Sequence, residues 1–203
     1  MYSTRSGLVL GFHGCDESVA MKVLTGEEFL KKSVNSYDWL GHGIYFWENS
    51  PSRAMEFAEH LQKFPDRSKG KMTKPAVIGA VIDLGFCLDL LDFGNLQTLK
   101  TAYRLLLSTS NISDLPENKY IGGMGDLLLR ELDCAVIETL HTSIEDLHKP
   151  PFDSIRGVFY EGEELYPNAG FREKDHIQIC VRNPNCIKGF FIPRKLDYDY
   201  PKV

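Results

Sequence analysis

Two stretches decide how this chain is read: Leu8-Val9-Leu10-Gly11-Phe12-His13-Gly14-Cys15 and Gly43-Ile44-Tyr45-Phe46-Trp47. The first opens with an apolar run, Leu8 to Phe12, that suits a buried strand, and His13-Gly14-Cys15 carries it out into a turn. The second follows Asp38-Trp39-Leu40-Gly41-His42-Gly43, a loop with two glycines, and its β-branched and aromatic residues read as another strand. Ser50-Pro51 then predicts a helix start, because Ser caps free N–H groups and Pro tolerates the first turn. Ala54, Phe57, Ala58 and Leu61 continue it along one face.

Outward from this block the pattern stays mixed. Thr25-Gly26-Glu27-Glu28 has capping-box form and predicts a short helix through Phe29 and Leu30. Lys63 to Lys74 is a charged loop. Ala76 to Leu84 is a nearly continuous apolar and β-branched run, as a central strand requires. Asp89 to Leu107 and Gly125 to Leu132 read as helices, Cys134 to Thr139 as a strand, and His148 to Ser154, with Pro150-Pro151, as loop.

In the last third, Gly157 to Tyr160 is a short strand and Glu161 to Lys174 a long polar loop. His176 to Val181 alternates: Ile177, Ile179 and Val181 face one way, and His176, Gln178 and Cys180 the other. Asn183-Pro184 makes a turn, and Cys186 to Ile192 returns as a strand. No repeat, low-complexity tract or linker divides the 203 residues. An α+β fold in a single domain, residues 1–203, follows, with residues 90–150 as a helical insertion.

Composition narrows the function classes. Hydrophobic residues at 43% and charged residues at 25% exclude a largely disordered chain. A net charge of -5 argues against broad nucleic-acid binding, which needs a basic footprint, and leaves room for a local basic groove. Cys15, Cys87, Cys134, Cys180 and Cys186 are an odd set without close pairs, and no charged-then-apolar leader opens the chain. Reduced thiols and a cytoplasmic protein are expected. No apolar run reaches the ~18 residues of a spanning helix, so no membrane is expected. His176, Cys180 and Cys186 lack zinc-ligand spacing, so no metal is expected either.

The succession of Phe12-His13-Gly14, Gly43-Ile44-Tyr45-Phe46, a Ser-initiated helix, the strand ending Asp83-Leu84-Gly85 and a closing strand pair resembles a known superfamily. It is similar to the H-Y-E branch of the ADP-ribosyltransferases, which includes the poly(ADP-ribose) polymerases and diphtheria toxin. The resemblance covers roughly the first 90 and last 50 residues. It implies two packed, mainly antiparallel sheets with flanking helices around an NAD cleft.

On that resemblance, His13 and Gly14 bind the adenosine ribose and the nicotinamide amide, Tyr45 of the Gly43–Phe46 segment stacks on nicotinamide, and Ser50 bonds the carboxamide. Tyr37, or Trp39, covers the other ring face. The residue types suit this chemistry. Nicotinamide is a flat cation that an aromatic face attracts, and glycine permits close approach of backbone. The family's Glu on a late strand falls on Gln178, which can bond the ribose 2′-hydroxyl but supplies no charge. His176 falls where an acceptor is often contacted. Glu161, Glu163 and Glu164 are either solvated loop charges or the source of the missing anion. Arg156, Arg172 and Arg182 either contact pyrophosphate or an anionic acceptor, or lie on the surface.

The resemblance therefore implies an NAD-dependent mono-ADP-ribosyltransferase, acting on a protein or nucleic-acid acceptor, by analogy with toxins or phage-defence effectors. The alternatives are an NAD glycohydrolase, a non-catalytic NAD or ADP-ribose binding module, and an RNA 2′-phosphotransferase.

Overall fold

The computed structural model describes residues 7–65, 72–120 and 126–201. Its first strand, β1 (Leu8–Asp16), does not turn at His13. It runs straight through His13-Gly14-Cys15 and pairs along its whole length with β3 (Pro75–Asp83), from Leu8↔Asp83 to Asp16↔Pro75. On its other edge β1 meets β2 (Ile44–Glu48) only at Gly11↔Glu48 and Phe12↔Trp47. From β2 the ladder continues to β8 (His176–Val181), then β7 (Ser154–Phe159), then β4 (Cys87–Asp89), while β9 (Ile187–Phe191) lies outside β3.

Among the described residues this makes one seven-stranded sheet ordered β4-β7-β8-β2-β1-β3-β9, antiparallel except at β4–β7. The two sheets expected from the sequence are thus joined, because the two pairs between β1 and β2 bridge the wings. The architecture is α+β. A separate pair, β5 (Asn118–Lys119) with β6 (Leu129–Arg130), stands beside it.

Four helices flank the sheet among the described residues, and two differ from the expectation. Thr25-Gly26 ends a helix instead of starting one: α1 spans Glu17–Thr25, Asp16 caps its first turn, and Gly26 closes it in the left-handed region at φ 78°. Glycine takes that conformation without a Cβ penalty, so the same residues that resemble a capping box serve as a C-cap. Phe29 beyond it is exposed. The strand predicted at Cys134 to Thr139 lies inside α4 (Glu131–Asp146). Cys134, Ile137, Leu140 and His141 are buried at helical spacing, and that wider period overrides the short β-branched run. The helix predicted for Gly125 to Leu132 is replaced by β6 and the start of α4 where it is described; Gly125 lies outside the described residues. α2 (Pro51–Lys63) and α3 (Phe93–Thr109) form near where expected, and part of the loop Lys63 to Lys74 lies outside the described residues.

Alternation along the strands divides the core. Phe46, Ile78, Ile82, Ile179 and Val181 pack on one face with Ala20 and Val23 of α1. On the other, Leu88, Ile155 and Cys180 pack against Ala102 of α3 and Val136 and Leu140 of α4. α3 and α4 therefore buttress the sheet. No described helix is long and apolar enough to cross a membrane. All five cysteines are free and buried, and burial pushes the Cys15, Cys87, Cys134 and Cys186 thiols up to about 11, leaving them poor nucleophiles at neutral pH.

Candidate functional site

Of the residues singled out in the sequence, the seam between β1 and β2 brings together His13, Gly14 and Tyr45; Gln178 lies across β2 on β8, on the face opposite the His13 ring, which stands 5.8 Å from Phe46. Pairing stops after Phe12↔Trp47, so His13 and Gly14 leave β2 before they reach Phe46 and Tyr45. The His13 ring fills the gap: its Nδ1–H donates to the Tyr45 carbonyl at 2.8 Å. A carbonyl only accepts, so the proton sits on Nδ1 and Nε2 keeps its lone pair. Burial lowers the His13 pKa against the raising effect of that bond, which favours the neutral ring. Asn49 N–H donates to the Leu10 carbonyl across the same seam, and strand alternation turns the peptide groups of Phe12 and Gly14 the same way. No ladder pair joins Gly14 to β2.

Gly14 is also where α2 lies closest. A Cβ there would stand 2.1 Å from the Ala54 carbonyl oxygen, so any larger residue drives the helix off the strand. Gly43 is engaged differently: its N–H and C=O both pair with Ser33, at 3.1 and 2.7 Å. Tyr45 packs its ring among Leu40 and Cys180, accepts from Leu40 N–H at 2.8 Å and donates to the Gly41 carbonyl at 2.7 Å. It holds the 33–43 loop in place. Ser50 occupies the N-cap position of α2, but its hydroxyl makes no capping bond. Tyr37 is exposed and has no ring partner among the described residues.

Gln178 lies directly opposite Trp47, two positions along β8 from Cys180, which pairs with Tyr45. The side chain is only 9% exposed and makes no hydrogen bond among the described residues. On the same face stands a cluster with the same property. Trp47 Nε1, Arg53 Nε and His176 Nε2 are all buried without a partner. The Trp47 ring packs tilted at 47° against Phe57, 5.0 Å between centroids, and lies 6.4 Å from His176, and the Arg53 guanidinium stands 5.7 Å above the Trp47 ring. Buried polar groups are nearly always paired, because each orphan costs about 1–3 kcal/mol. Three such groups gathered in one place, beside Gln178, make it the candidate site.

Of the loop carboxylates, the structure brings in one. Glu161 accepts from Arg53 Nη2 at 2.6 Å and sits 4.0 Å from His176 Nδ1. Glu163 is exposed, and Glu164 accepts from Asn168 N–H within its own loop. The arginines considered for pyrophosphate are occupied elsewhere. Arg156 is buried between Glu48 and Asp89 on the opposite face of the sheet, Arg172 pairs with Asp126, and Arg182 with Glu138. Trp47 and Arg53 were not legible as site residues. Their signal was cross-strand and helical phase: Trp47 opposite Gln178, and Arg53 four residues before Phe57. Among the described residues no group of three His, Cys, Asp or Glu could hold a metal ion.

No protein-family profile matches the chain, and no solved structure matches it. The chain is similar to an uncharacterized protein of Methanocaldococcus jannaschii, 27% identical over 200 residues, a match covering 87% of this chain and 83% of that protein.

Proposed function

We propose that the chain binds NAD at the β1–β2 seam, cleaves the nicotinamide–ribose bond and transfers ADP-ribose, in an ADP-ribosyltransferase-like fold. One observation carries this: His13 caps the Tyr45 carbonyl where the ladder stops, so the Gly14 peptide edge is left without a strand partner on the β2 side. A carboxamide needs a donor and an acceptor from rigid backbone, which an unpaired strand edge supplies. His13 Nε2, an acceptor in this tautomer, suits a ribose hydroxyl. Gln178 suits the other ribose, and the Trp47–Phe57 pair lends aromatic surface to a flat cation.

Departure of nicotinamide leaves positive charge on the ribose carbon, so a carboxylate nearby lowers the barrier. Gln178 is neutral, and Glu161 is the carboxylate on that face. Its charge is shared with Arg53, which favours slow turnover and mono-ADP-ribosylation or hydrolysis over chain extension. The same neutrality of Gln178 favours a second reading, a module that holds NAD or ADP-ribose without turning it over. The pairing of Arg156, Arg172 and Arg182 with acids does not favour a 2′-phosphotransferase gripping RNA phosphate.

The test is nicotinamide release from NAD by the purified chain, followed chromatographically over hours. We expect release that His13→Ala abolishes and Tyr45→Ala abolishes with it. Calorimetric NAD binding without release selects the binding module; unchanged release in both variants removes the site.

A further inference from the structure

Resting on the NAD reading, we propose that His176 is the general base of the transfer, taking the proton of an attacking hydroxyl, amine or amide nitrogen. A carboxylate acceptor carries no such proton, so the substrate class is a proton-bearing nucleophile.

The ring is prepared for this in three ways. Its Nδ1–H donates to the Lys174 carbonyl at 2.5 Å, which fixes the tautomer and leaves Nε2 with a free lone pair. Trp39 stacks at 6.1 Å and 25°, while Phe159 at 5.8 Å and Trp47 at 6.4 Å hold the ring from other sides. Glu161 lies 4.0 Å from Nδ1, where its charge stabilises an imidazolium once the proton arrives. Base, orienting carbonyl and nearby carboxylate reproduce the logic by which enzymes aim a histidine.

Nε2 is buried and has no partner among the described residues. Its neighbours with the same deficit, Trp47 Nε1–H and Arg53 Nε–H, are donors. A ligand satisfying all three presents a donor to Nε2 beside an acceptor for the two N–H groups. The charged groups facing the ring come from several elements: Arg53 on α2, Glu161 and Asp175 in the loop, and Arg130 of β6 above Trp39 and Phe159. Nε2 is covered in the unliganded chain. Two ion pairs, Arg53–Glu161 and Lys174–Glu56, hold the ends of the 161–174 loop to α2.

The step balances. The nucleophile X–H attacks the ribose C1′, and the C1′–X bond forms as the bond from C1′ to the nicotinamide nitrogen breaks. That electron pair leaves on neutral nicotinamide. The X–H proton passes to Nε2, and the imidazolium later returns it to solvent. Burial, first, and Arg53 lower the His176 pKa from its ordinary value, against the Lys174 carbonyl, Glu161 and Asp175. The base is neutral above its own pKa, so transfer rises as pH climbs through a midpoint below the usual 6.5 and is flat beyond it.

The experiment uses the full chain with radiolabelled NAD and cell lysate as acceptor, across that pH range, with nicotinamide release measured in parallel. In His176→Gln we expect transfer to fall by about 100-fold or more, the acid limb to vanish, and the KM for NAD to stay within about twofold. In His176→Ala, added imidazole should restore transfer by about tenfold, and the restored rate should rise with the basicity of substituted imidazoles, a dependence cavity filling alone does not produce. The attached label should survive neutral hydroxylamine, which cleaves carboxylate esters. Transfer by His176→Gln near the wild-type rate, with the same pH profile, overturns the base while the NAD reading stands. Failed NAD binding in His176→Gln without imidazole rescue of His176→Ala, or label lost to hydroxylamine, also overturns it. A wild-type chain that releases no nicotinamide overturns both.

Discussion

Two polar clusters are buried on opposite faces of the same sheet, one residue apart along the β7–β8 ladder. Arg156 pairs with Ile179 and Gly157 with Gln178, so Arg156 and Gln178 point away from each other. On Arg156's face every charge is answered: its guanidinium meets Glu48 at 2.5 and 3.1 Å and Asp89 at 3.2 and 3.3 Å. On Gln178's face the amide, Trp47 Nε1, Arg53 Nε and His176 Nε2 lack partners among the described residues. The first cluster is closed, and its energetics are those of folding. The second is open, and its deficit is one a ligand can fill. Burial and charge alone would not separate them; the accounting of partners does.

Breaking the closed cluster should have the largest effect. Burial opposes charge on Arg156, yet the hydrogen bonds and charge of Glu48, then Asp89, hold its pKa above the ordinary value. Arg156→Met takes the guanidinium away from Glu48, at 6% side-chain exposure, and from Asp89, and we expect a loss of about 3–5 kcal/mol in chemical denaturation. A loss below about 1 kcal/mol would mean the cluster is solvated in solution and the contrast with Gln178 is weaker.

His141 sharpens the comparison, because it is unpaired without belonging to a site. It is 2% exposed on α4 with both ring nitrogens unpartnered. Burial, then Arg182, lowers its pKa to about 4, against Glu138. The folded ring stays neutral while the unfolded one protonates near 6.5. Stability is therefore full above that pH and falls by up to about 3 kcal/mol as pH drops toward 4. His141→Leu should remove most of that acid-side loss in unfolding measured at both pH values. One orphan ring buried alone is a fault line; three orphan groups gathered on one face make a candidate site.

The smallest effect on stability belongs to the open cluster. Gln178→Met keeps the volume and removes an unpaired amide, so folding free energy should move by less than about 1 kcal/mol, in either direction. Nicotinamide release, by contrast, should be lost. A large destabilisation would show that the Gln178 amide is paired in solution and belongs with Arg156.

These clusters also show what the sequence could disclose. Gln178 and His176 were legible because a strand has a fixed period of two, and Ile177, Ile179 and Val181 mark its core face. His13, Gly14 and Tyr45 were legible as a set, although Tyr45 binds its own loop. Arg156 was not legible as structural: its partners lie 108 and 67 residues away along the chain, and no local period links them. Cys134 to Thr139 misled for a related reason, since six residues are too few to tell a strand from a buried helical turn. The continuous sheet hid in two residue pairs between β1 and β2.

Whether the unpaired groups beside the seam form a dinucleotide site is tested most directly by thermal unfolding with and without NAD. NAD that binds only the folded chain raises the melting temperature as its concentration passes the dissociation constant. We predict a rise for the wild-type chain that Gln178→Met loses while its melting temperature without NAD is unchanged. No rise for the wild type at millimolar NAD, or an equal rise in both proteins, would contradict the claim.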